Sequence, residues 1–579
     1  MNRNICTGLS VGQPGFLLPD ARCIALSALF LADAIEQGGS FACRLLSGQN
    51  PEAVFVWESC GQSDGRDSML QIQNLTITHK KDLRELIKDF SLCLNPGDRA
   101  ALIGEEGNGK STLLKLIYDE RLTDGYAEYT GTIAKKGMRL GYLTQELREE
   151  EKEQSVYDFC QGWPGFLESS PRELARTAGK MGLDPGLFYS DQKMGSLSGG
   201  EKVKVQLACI LLGEPDVLLL DEPSNDLDLP TLDFLEKLIL ESPVPVLYIS
   251  HDEVLLEHTA NLIIHLELVR RKTVPRVTVQ RSGYRDYVER RLSGLHRQEQ
   301  QAANERREYA KQQERFRQIQ QKVEHGLRSV SRQDPHSGYL MKKKMRSVKA
   351  QERRFQKEAE SFTEMPDTED AMFVKFGEQM KMPDGKRVLD YEEPELTAGG
   401  RVLSRNIRLE VRGPERVCII GKNGAGKSTL LRAVTERLLE RPDLHTGYMP
   451  QNYEDLLDPA AAPVDFLAVS GDKEERSRIS TYLGSMKYTA EEMERPIREL
   501  SGGQKAKLLL LKMSLQKCDV MILDEPTRNF SPLSAPVIRE VLKDFPGAII
   551  SVSHDRKYIR EVCTAVYELD ETGLHRREP

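Results

Sequence analysis

GEEGNGKST at residues 104–112 and GKNGAGKST at residues 421–429 are two copies of one glycine-rich loop. Both satisfy G-x-x-x-x-G-K-S, a pattern whose small residues let backbone N–H groups wrap phosphates at the start of a helix. Each loop follows an apolar run, RAALIG or VCIIG, that is typical of a buried parallel strand. The predicted nucleotide-binding residues are Gly104, Gly107, Asn108, Gly109, Lys110, Ser111 and Thr112 in the first loop, and Gly421, Asn423, Gly424, Ala425, Gly426, Lys427, Ser428 and Thr429 in the second.

The sequence around the loops repeats as well. Each loop is followed by LSGG, by an apolar run that ends in DEP, and by SHD. The LSGG serine lies 24 residues before the DEP glutamate in both copies, and that glutamate lies 29 residues before the SHD histidine. This agreement indicates two α/β domains of one design. The first copy holds 14 extra residues between its loop lysine and LSGG, most of them in an insertion near residues 119–136.

The repeated polar residues fit phosphoryl transfer. The loop lysines would reach the β- and γ-phosphates of a nucleotide, and the residues predicted to hold Mg²⁺ are Ser111, Asp221, Ser428 and Asp524. Glu222 and Glu525 are candidate general bases or water-positioning residues. His251 and His554 are candidate donors to the γ-phosphate.

Two further motifs are weaker by themselves. The LSGG residues present a serine and two amides at a predicted helix start, which suits an anion but also matches an ordinary serine N-cap. They are Ser198, Gly199 and Gly200, and Ser501, Gly502 and Gly503. Gln145 and Gln451 follow the loops at comparable positions and are candidate contacts of Mg²⁺ and of the attacking water.

Charge is distributed unevenly along the 579 residues. The formal net charge is −8, yet residues 281–360 carry 21 Lys+Arg against 11 Asp+Glu, a net of +10. Such a segment suits a polyanionic partner, although charge runs are also common on solvated helix faces. The ten cysteines show neither a CxxC pair nor metal spacing, and no apolar stretch is long enough for a membrane span, so a reducing, cytoplasmic setting is expected.

The basic segment carries a helical apolar pattern. Phe316, Ile319, Val323, Leu327 and Val330, and then Met345, Val348, Phe355, Ala359 and Phe362, recur at helical spacing. This predicts an antiparallel coiled-coil hairpin with its tip near residues 334–338 and with Lys342, Lys343, Lys344 and Arg346 beside it.

Together these residues resemble the ATP-binding-cassette superfamily, with Walker A loops at residues 104–112 and 421–429 and signature motifs at Ser198 and Ser501. The resemblance implies two α/β cassettes that pack head to tail around two ATP molecules and hydrolyse them with Mg²⁺. Ser198 would complete the site of Lys427, and Ser501 that of Lys110. The expected domains are an extension at 1–68, either disordered or a misassigned start, a first cassette at 69–270, a linker at 271–370 and a second cassette at 371–579.

Tandem cassettes with a charged helical linker resemble the ABC-F family, and most of all its antibiotic-resistance branch. Members act on the ribosome, so the resemblance implies ribosomal RNA and peptidyl-tRNA as partners of the linker. A housekeeping role in translation, the ATPase subunit of a transporter, and a DNA-repair cassette protein remain alternatives. Two departures predict unequal ATP sites: Glu105 and Glu106 in the first loop, and Ser531 where Asp228 aligns.

Overall fold

The computed structural model describes residues 40–46, 54–60, 70–135, 137–225, 227–269, 273–329, 339–340, 343–350, 353–354 and 382–577. The chain divides into two units, Met1–Ser68 and Met69–Pro579. In the first unit, strands β1 (Ser40–Leu46) and β2 (Val54–Cys60) pair antiparallel. Both sequence repeats lie in the second unit.

The first cassette combines a six-stranded sheet with a three-stranded antiparallel sheet. Its strands are β3 (Leu70–His79), β4 (Glu85–Leu94), β5 (Arg99–Ile103), β6 (Ala127–Ala134), β7 (Leu140–Leu143), β8 (Val217–Asp221), β9 (Val246–Ile249), β10 (Leu262–Leu268) and β11 (Val274–Gln280). Strands β7, β8, β9, β5 and β10 run parallel in that order, and β11 closes the edge antiparallel. Strands β4, β3 and β6 form the smaller sheet.

Helices cover both faces of the six-stranded sheet, which explains its continuous apolar runs. They are α1 (Lys110–Tyr118), α2 (Glu149–Glu153), α3 (Val156–Gln161), α4 (Pro164–Glu168), α5 (Pro171–Met181), α6 (Gly199–Leu212), α7 (Leu229–Leu240) and α8 (Glu253–Thr259). In β8, Leu218 and Leu220 enter one buried core, whereas Val217 and Leu219 enter the other. A strand that is apolar on both sides is therefore buried on both sides.

A single helix, α9 (Tyr284–Ser329), leads away from the first cassette. At about 1.5 Å per residue it is about 70 Å long. Its first turns are anchored: the Tyr284 hydroxyl donates to the Pro532 carbonyl at 3.0 Å, and Arg291 donates to Glu267 at 2.8 Å. Among the described residues, no helix is both long and apolar enough to cross a membrane.

The predicted hairpin lies only partly within the described residues. Val323 and Val348 are buried, as a covered seam requires, but Ile319 is 50% exposed. Residues 343–350 are helical. The tip at 334–338, Val330, Phe355, Ala359 and Phe362 lie outside the described residues, so the pairing of two helices stays a prediction.

The second cassette repeats the strand order of the first. Its strands are β12 (Arg387–Ala398), β13 (Arg401–Arg412), β14 (Arg416–Ile420), β15 (Thr446–Met449), β16 (Val520–Asp524), β17 (Ala548–Val552), β18 (Ala565–Asp570) and β19 (Gly573–Arg577). The large sheet runs β15, β16, β17, β14, β18, β19, the counterpart of the first cassette's order. Its helices are α10 (Lys427–Leu439), α11 (Pro463–Leu467), α12 (Lys473–Ser485), α13 (Ala490–Glu494), α14 (Gly502–Leu515), α15 (Ala535–Lys543) and α16 (Arg556–Glu561).

The two cassettes differ in their antiparallel sheets. In the described part of the second cassette this sheet has two strands, β12 and β13, whereas the first cassette adds β6 beside β3. The predicted insertion at 119–136 coincides with a 3₁₀ turn at Glu120–Leu122 and with β6. The extra residues thus build a third strand against the same sheet.

Candidate functional site

Both glycine-rich loops connect a central strand to a helix, between β5 and α1 and between β14 and α10. Gly104 and Gly421 have φ values of 148° and 150°. A Cβ on either residue would lie within 2.4 Å of a carbonyl oxygen in the neighbouring strand of the sheet, β10 or β18. Only glycine fits there. Lys110–Thr112 and Lys427–Thr429 form the first turns of the helices, where free N–H groups favour phosphate.

The loop lysines are buried and folded over their own loops. Lys110 Nζ donates to the carbonyls of Gly104 and Glu105 at 2.8 and 3.0 Å, and Lys427 Nζ makes the matching pair at 2.8 and 2.9 Å. Burial lowers the pKa of both lysines, because the charged form is desolvated. A phosphate would supply the counter-charge.

The predicted Mg²⁺ ligands meet at the strand ends. Ser111 Oγ donates to Asp221 at 2.9 Å, and the Tyr142 hydroxyl donates to the other oxygen of Asp221 at 3.1 Å. Ser428 makes the corresponding hydrogen bond to Asp524. Burial raises the pKa of both aspartates. Paired hydroxyl and carboxylate oxygens fit Mg²⁺, whose charge would favour the ionised form of both aspartates.

The two candidate bases sit in opposite environments. Glu222 accepts hydrogen bonds from Gln145 Nε2 at 3.0 Å and from the Asn225 amide, and His251 Nε2 lies 3.4 Å away. Burial works to raise the pKa of Glu222, but the hydrogen bond and charge of His251, together with Lys110, hold it at about 2. Glu222 is therefore an ionised, fully engaged carboxylate.

Glu525 has weaker partners. It accepts from the His554 N–H and the Ser553 hydroxyl, each at 3.3 Å, and His554 Nε2 lies 4.0 Å away. Burial and the neighbouring Asp524 raise the pKa of Glu525 to about 8. Burial and the charge of Lys427 lower the pKa of His554 to about 4, so its ring is neutral at pH 7. His554 Nδ1 is buried and has no hydrogen-bond partner among the described residues.

Both signature serines cap helices. Ser198 Oγ accepts from the Glu201 N–H at the start of α6, and Ser501 Oγ accepts from the Gln504 N–H at the start of α14, each at 3.3 Å. The N-cap interpretation and the anion-binding interpretation therefore describe the same geometry. A Cβ on Gly200 would lie 2.8 Å from the Thr231 hydroxyl of α7, and a Cβ on Gly503 would lie 2.7 Å from the Asn529 carbonyl oxygen, so the second glycine of each motif is a packing requirement.

Each signature faces the Walker A loop of the other cassette. A cavity of about 950 Å³, here called the Lys427 site, extends as far as Gln145 and Glu222. Its walls include Ser198, Gly199, Glu201, Asn423, Gly424, Gly426, Lys427, Ser428, Thr429, Gln451, Asp524, Glu525 and His554. A second cavity, of about 200 Å³, lies between the first Walker A loop and the second signature and is lined by residues that include Glu105, Glu106, Gly107, Asn108, Ser501, Gly503, Gln504 and Asn529. The composite site of Lys110 and the second signature is here called the Lys110 site. This is the head-to-tail arrangement that the resemblance implies.

Some predicted residues have structural partners. The Asn108 amide donates to the Leu266 carbonyl at 3.1 Å and ties the first loop to strand β10. The Ala425 N–H closes a turn on Lys422 at 3.2 Å. Asp228 caps α7, and its charge reaches Lys427 and His554, whereas the aligned Ser531 brings no charge to the Lys110 site.

Contacts between the cassettes were missed from the sequence. His251 Nδ1 lies 2.7 Å from the Phe530 carbonyl, so this histidine joins Glu222 to the loop after the second DEP. Arg539, buried on α15, pairs with Glu253 of α8, and Lys557 donates to Glu253 at 2.8 Å and to Glu257 at 2.6 Å. An amphipathic pattern gives no signal for which charged residues are buried between domains.

The basic residues of the linker are exposed where they are described. Lys343, Lys344 and Arg346 have exposed side chains, and Met345 between them is half-buried. Lys342 lies outside the described residues.

Comparisons with known proteins agree with this geometry. The ABC transporter family profile matches residues 87–225 and 404–528. The chain is 28% identical over 527 residues to the ribosome protection protein VmlR of Bacillus subtilis (strain 168), with 88% of each chain covered. It is 29% identical over 560 residues to ATP-binding cassette sub-family F member 3 of Pongo abelii, covering 90% of this chain and 74% of the relative.

A solved structure shares the fold. Archaeal ribosome recycling factor aABCE1, in complex with the stalk protein aP1, superposes with a TM-score of 0.53 at 17% identity, covering 86% of this chain and 87% of that one. Two matched cassettes, two composite nucleotide sites and ABC-F relatives over most of the chain lead to one conclusion. The chain belongs to the ABC-F family of tandem ATP-binding-cassette proteins, which hydrolyse ATP.

Proposed function

We propose that this protein acts in the cytoplasm, binds the ribosome when its cassettes close on ATP, and protects the ribosome from antibiotics through its linker. The observation that carries the proposal is the anchored helix α9, which leads from the cassettes into a segment with exposed Lys343, Lys344 and Arg346. The VmlR relative, named as a ribosome protection protein, supports the same role. Ribosomal RNA and peptidyl-tRNA are polyanions that such a surface would meet.

The Lys427 site is proposed as the main site of hydrolysis. When bound, Mg²⁺ would be held by Ser428, Asp524 and Gln451, and would neutralise charge on the phosphates. Glu525, whose pKa is raised to about 8 by burial, is matched to proton abstraction near neutral pH, whereas a group with a pKa of about 2 is a weak base. The neutral ring of His554 would donate to the γ-phosphate.

The second cassette's loop at 527–534 is proposed to couple nucleotide to linker. The Phe530 carbonyl of this loop contacts the His251 ring, and the Pro532 carbonyl accepts a hydrogen bond from the Tyr284 hydroxyl at the start of α9. One short segment therefore contacts both a catalytic histidine and the helix that carries the basic residues. A change in how closely the cassettes approach each other would therefore shift the first residues of α9.

Ribosome co-sedimentation across a salt series tests the linker. Alanine in place of Lys342, Lys343, Lys344 and Arg346 should weaken binding and make the plot of log affinity against log salt less steep, by about 0.7–0.9 for each phosphate that is no longer neutralised. A matched variant removes four exposed positive charges from the cassettes, at Arg172, Arg176, Lys180 and Lys473. If both variants bind ribosomes as the parent does, the linker does not form the interface with the ribosome.

Drug susceptibility separates the finer alternatives. A sensitive host that expresses the chain should gain tolerance to at least one class of ribosome-targeting drug, and the linker variant should lose it. Ribosome binding without tolerance would favour a housekeeping role in translation. Sedimentation with membranes in place of ribosomes would favour a transporter ATPase.

A further inference from the structure

The first Walker A loop places an acidic side chain on the other cassette's signature motif. Glu106 Oε2 accepts a hydrogen bond from the Gly503 N–H at 3.0 Å. A Cβ on Gly502 would lie 3.1 Å from the same oxygen, so the carboxylate rests directly over the start of α14. The N–H groups of a helix start are donors that favour an anion, and here the protein supplies the anion itself.

The carboxylate also lies in the field of the loop lysine. Burial, the largest influence, lowers the pKa of Lys110, while the charges of Glu222 and then Glu106 act to raise it. Glu106 therefore contacts the signature amide of one cassette and is within electrostatic reach of the Walker lysine of the other. In a composite ATP site those are the groups that meet the γ-phosphate.

The loop that carries Glu106 is held in place. Arg84 Nη2 donates to the Gly107 carbonyl at 3.0 Å, and the Asn108 amide is bonded to Leu266. On the other side, Gly503 packs closely against the Asn529 carbonyl oxygen, which would lie 2.7 Å from a Cβ at this position. The contact is therefore supported from both cassettes.

The corresponding position of the Lys427 site carries no charge. Asn423 aligns with Glu106, is neutral, and lines the cavity of about 950 Å³. Glu222, the candidate base of the Lys110 site, accepts hydrogen bonds from Gln145 and Asn225. Ser531, which aligns with Asp228, brings no charge to this site.

We propose that Glu106 takes the place of the γ-phosphate and makes the Lys110 site selective for a nucleoside diphosphate over a triphosphate. A triphosphate would bring a second negative group to an N–H that the carboxylate already uses, and like charges a few ångströms apart in a partly buried site repel strongly. A diphosphate ends before that position. The Lys110 site would then stay closed without hydrolysis while the Lys427 site turns over.

The test measures affinity for ADP and for a non-hydrolysable ATP analogue in the full-length chain carrying Lys427→Ala, which weakens the other site. The parent of this series should bind ADP about tenfold or more tightly than the analogue. Glu106→Gln keeps the shape and removes the charge, and should raise affinity for the analogue about tenfold or more while changing that for ADP less than about threefold. Glu106→Asn, the residue of the second loop, should do the same.

Glu105→Gln is the matched control, since it removes one charge from the same loop and leaves the contact with Gly503 intact. It should change the ratio of the two affinities less than about threefold. Retained ADP binding reports that each variant is folded. The proposal is overturned if the Glu106 variants leave that ratio where it was, or if Glu105→Gln shifts it equally.

Discussion

The opposite environments of the two candidate bases predict opposite pH dependence of stability. Glu525 has a pKa of about 8 in the folded protein, above the 4.5 expected in the unfolded chain. Its contribution to stability is present below pH 4.5 and is lost as the pH rises toward 8, because the unfolded chain releases the proton first. A difference of about 3.5 pKa units corresponds to about 5 kcal/mol, of which about 3 to 4 kcal/mol falls between pH 5 and 8.

Glu525→Gln removes this dependence. Relative to the parent, the variant should gain about 3 to 4 kcal/mol between pH 5 and pH 8, a relative rise in Tm on the order of 10 °C for a cassette of about 200 residues. Scanning calorimetry of nucleotide-free protein at pH 5, 6, 7 and 8, at constant ionic strength, measures it. If the difference between variant and parent is the same at pH 5 and pH 8, Glu525 is ionised in the folded protein and the burial argument fails.

Glu222→Gln is the matched variant with the opposite sign. The pKa of Glu222 is held at about 2 against burial by His251 and Lys110, so its contribution is present above pH 4.5 and is lost as the pH falls toward 2. The variant should be destabilised by a constant amount, up to about 3 kcal/mol, from pH 5 to pH 8. Parallel pH profiles for the two variants would contradict the asymmetry of the sites.

Three further predictions concern turnover and assembly. Glu222→Gln combined with Glu525→Gln should bind ATP but hydrolyse it at least about a hundredfold more slowly than the parent. Phosphate release and nucleotide retention measure the two properties. Hydrolysis at the parent rate would show that these glutamates are not the bases. Arg539→Ala removes the guanidinium from Glu253, which keeps Lys557 as its partner, and should cost about 1.5 to 3 kcal/mol in calorimetry, while Arg577→Ala in an exposed pair should cost less than about 1 kcal/mol. A chain that begins at Met69 should keep the ATPase rate of the full chain, because Met1–Ser68 form a separate unit, and a marked loss of turnover would contradict this.

The contacts that lie within one cassette could be predicted from the spacing of residues in the sequence. Gly104 and Gly421 are glycines because of their backbone angles, and the serine after each loop lysine meets the aspartate that ends β8 or β16 because parallel strand ends share one edge. These contacts lie within one cassette. The repeat therefore predicts them in both copies.

What differs between the sites could not be predicted in the same way. The contrast between Glu222 and Glu525 depends on neighbours such as His251, which is itself placed by Phe530 of the other cassette. The insertion at 119–136 is predicted only from the difference in length between the two repeats. Its pairing as β6 depends on a free edge of β3, which no local sequence pattern indicates. The sequence marks Glu106 only as a difference between the two loops, because its partner, Gly503, lies 397 residues away.

The hydrogen bond between Tyr284 and Pro532 gives α9 the properties of a lever. The hydrogen bond lies at the first residue of the helix, and the other end lies about 70 Å away. A tilt of about 5° at the first residue would therefore move the far end by about 6 Å, slightly more than the rise of one helical turn. A shift of the second cassette's loop by about an ångström would then become a displacement of several ångströms at the far end of the helix. The stiffness of α9, more than the strength of the Tyr284–Pro532 contact, would then determine how far a change in bound nucleotide moves the linker. Glycine placed at an exposed position midway along α9 should uncouple ribosome-stimulated turnover from basal turnover, since it softens the helix without touching either end.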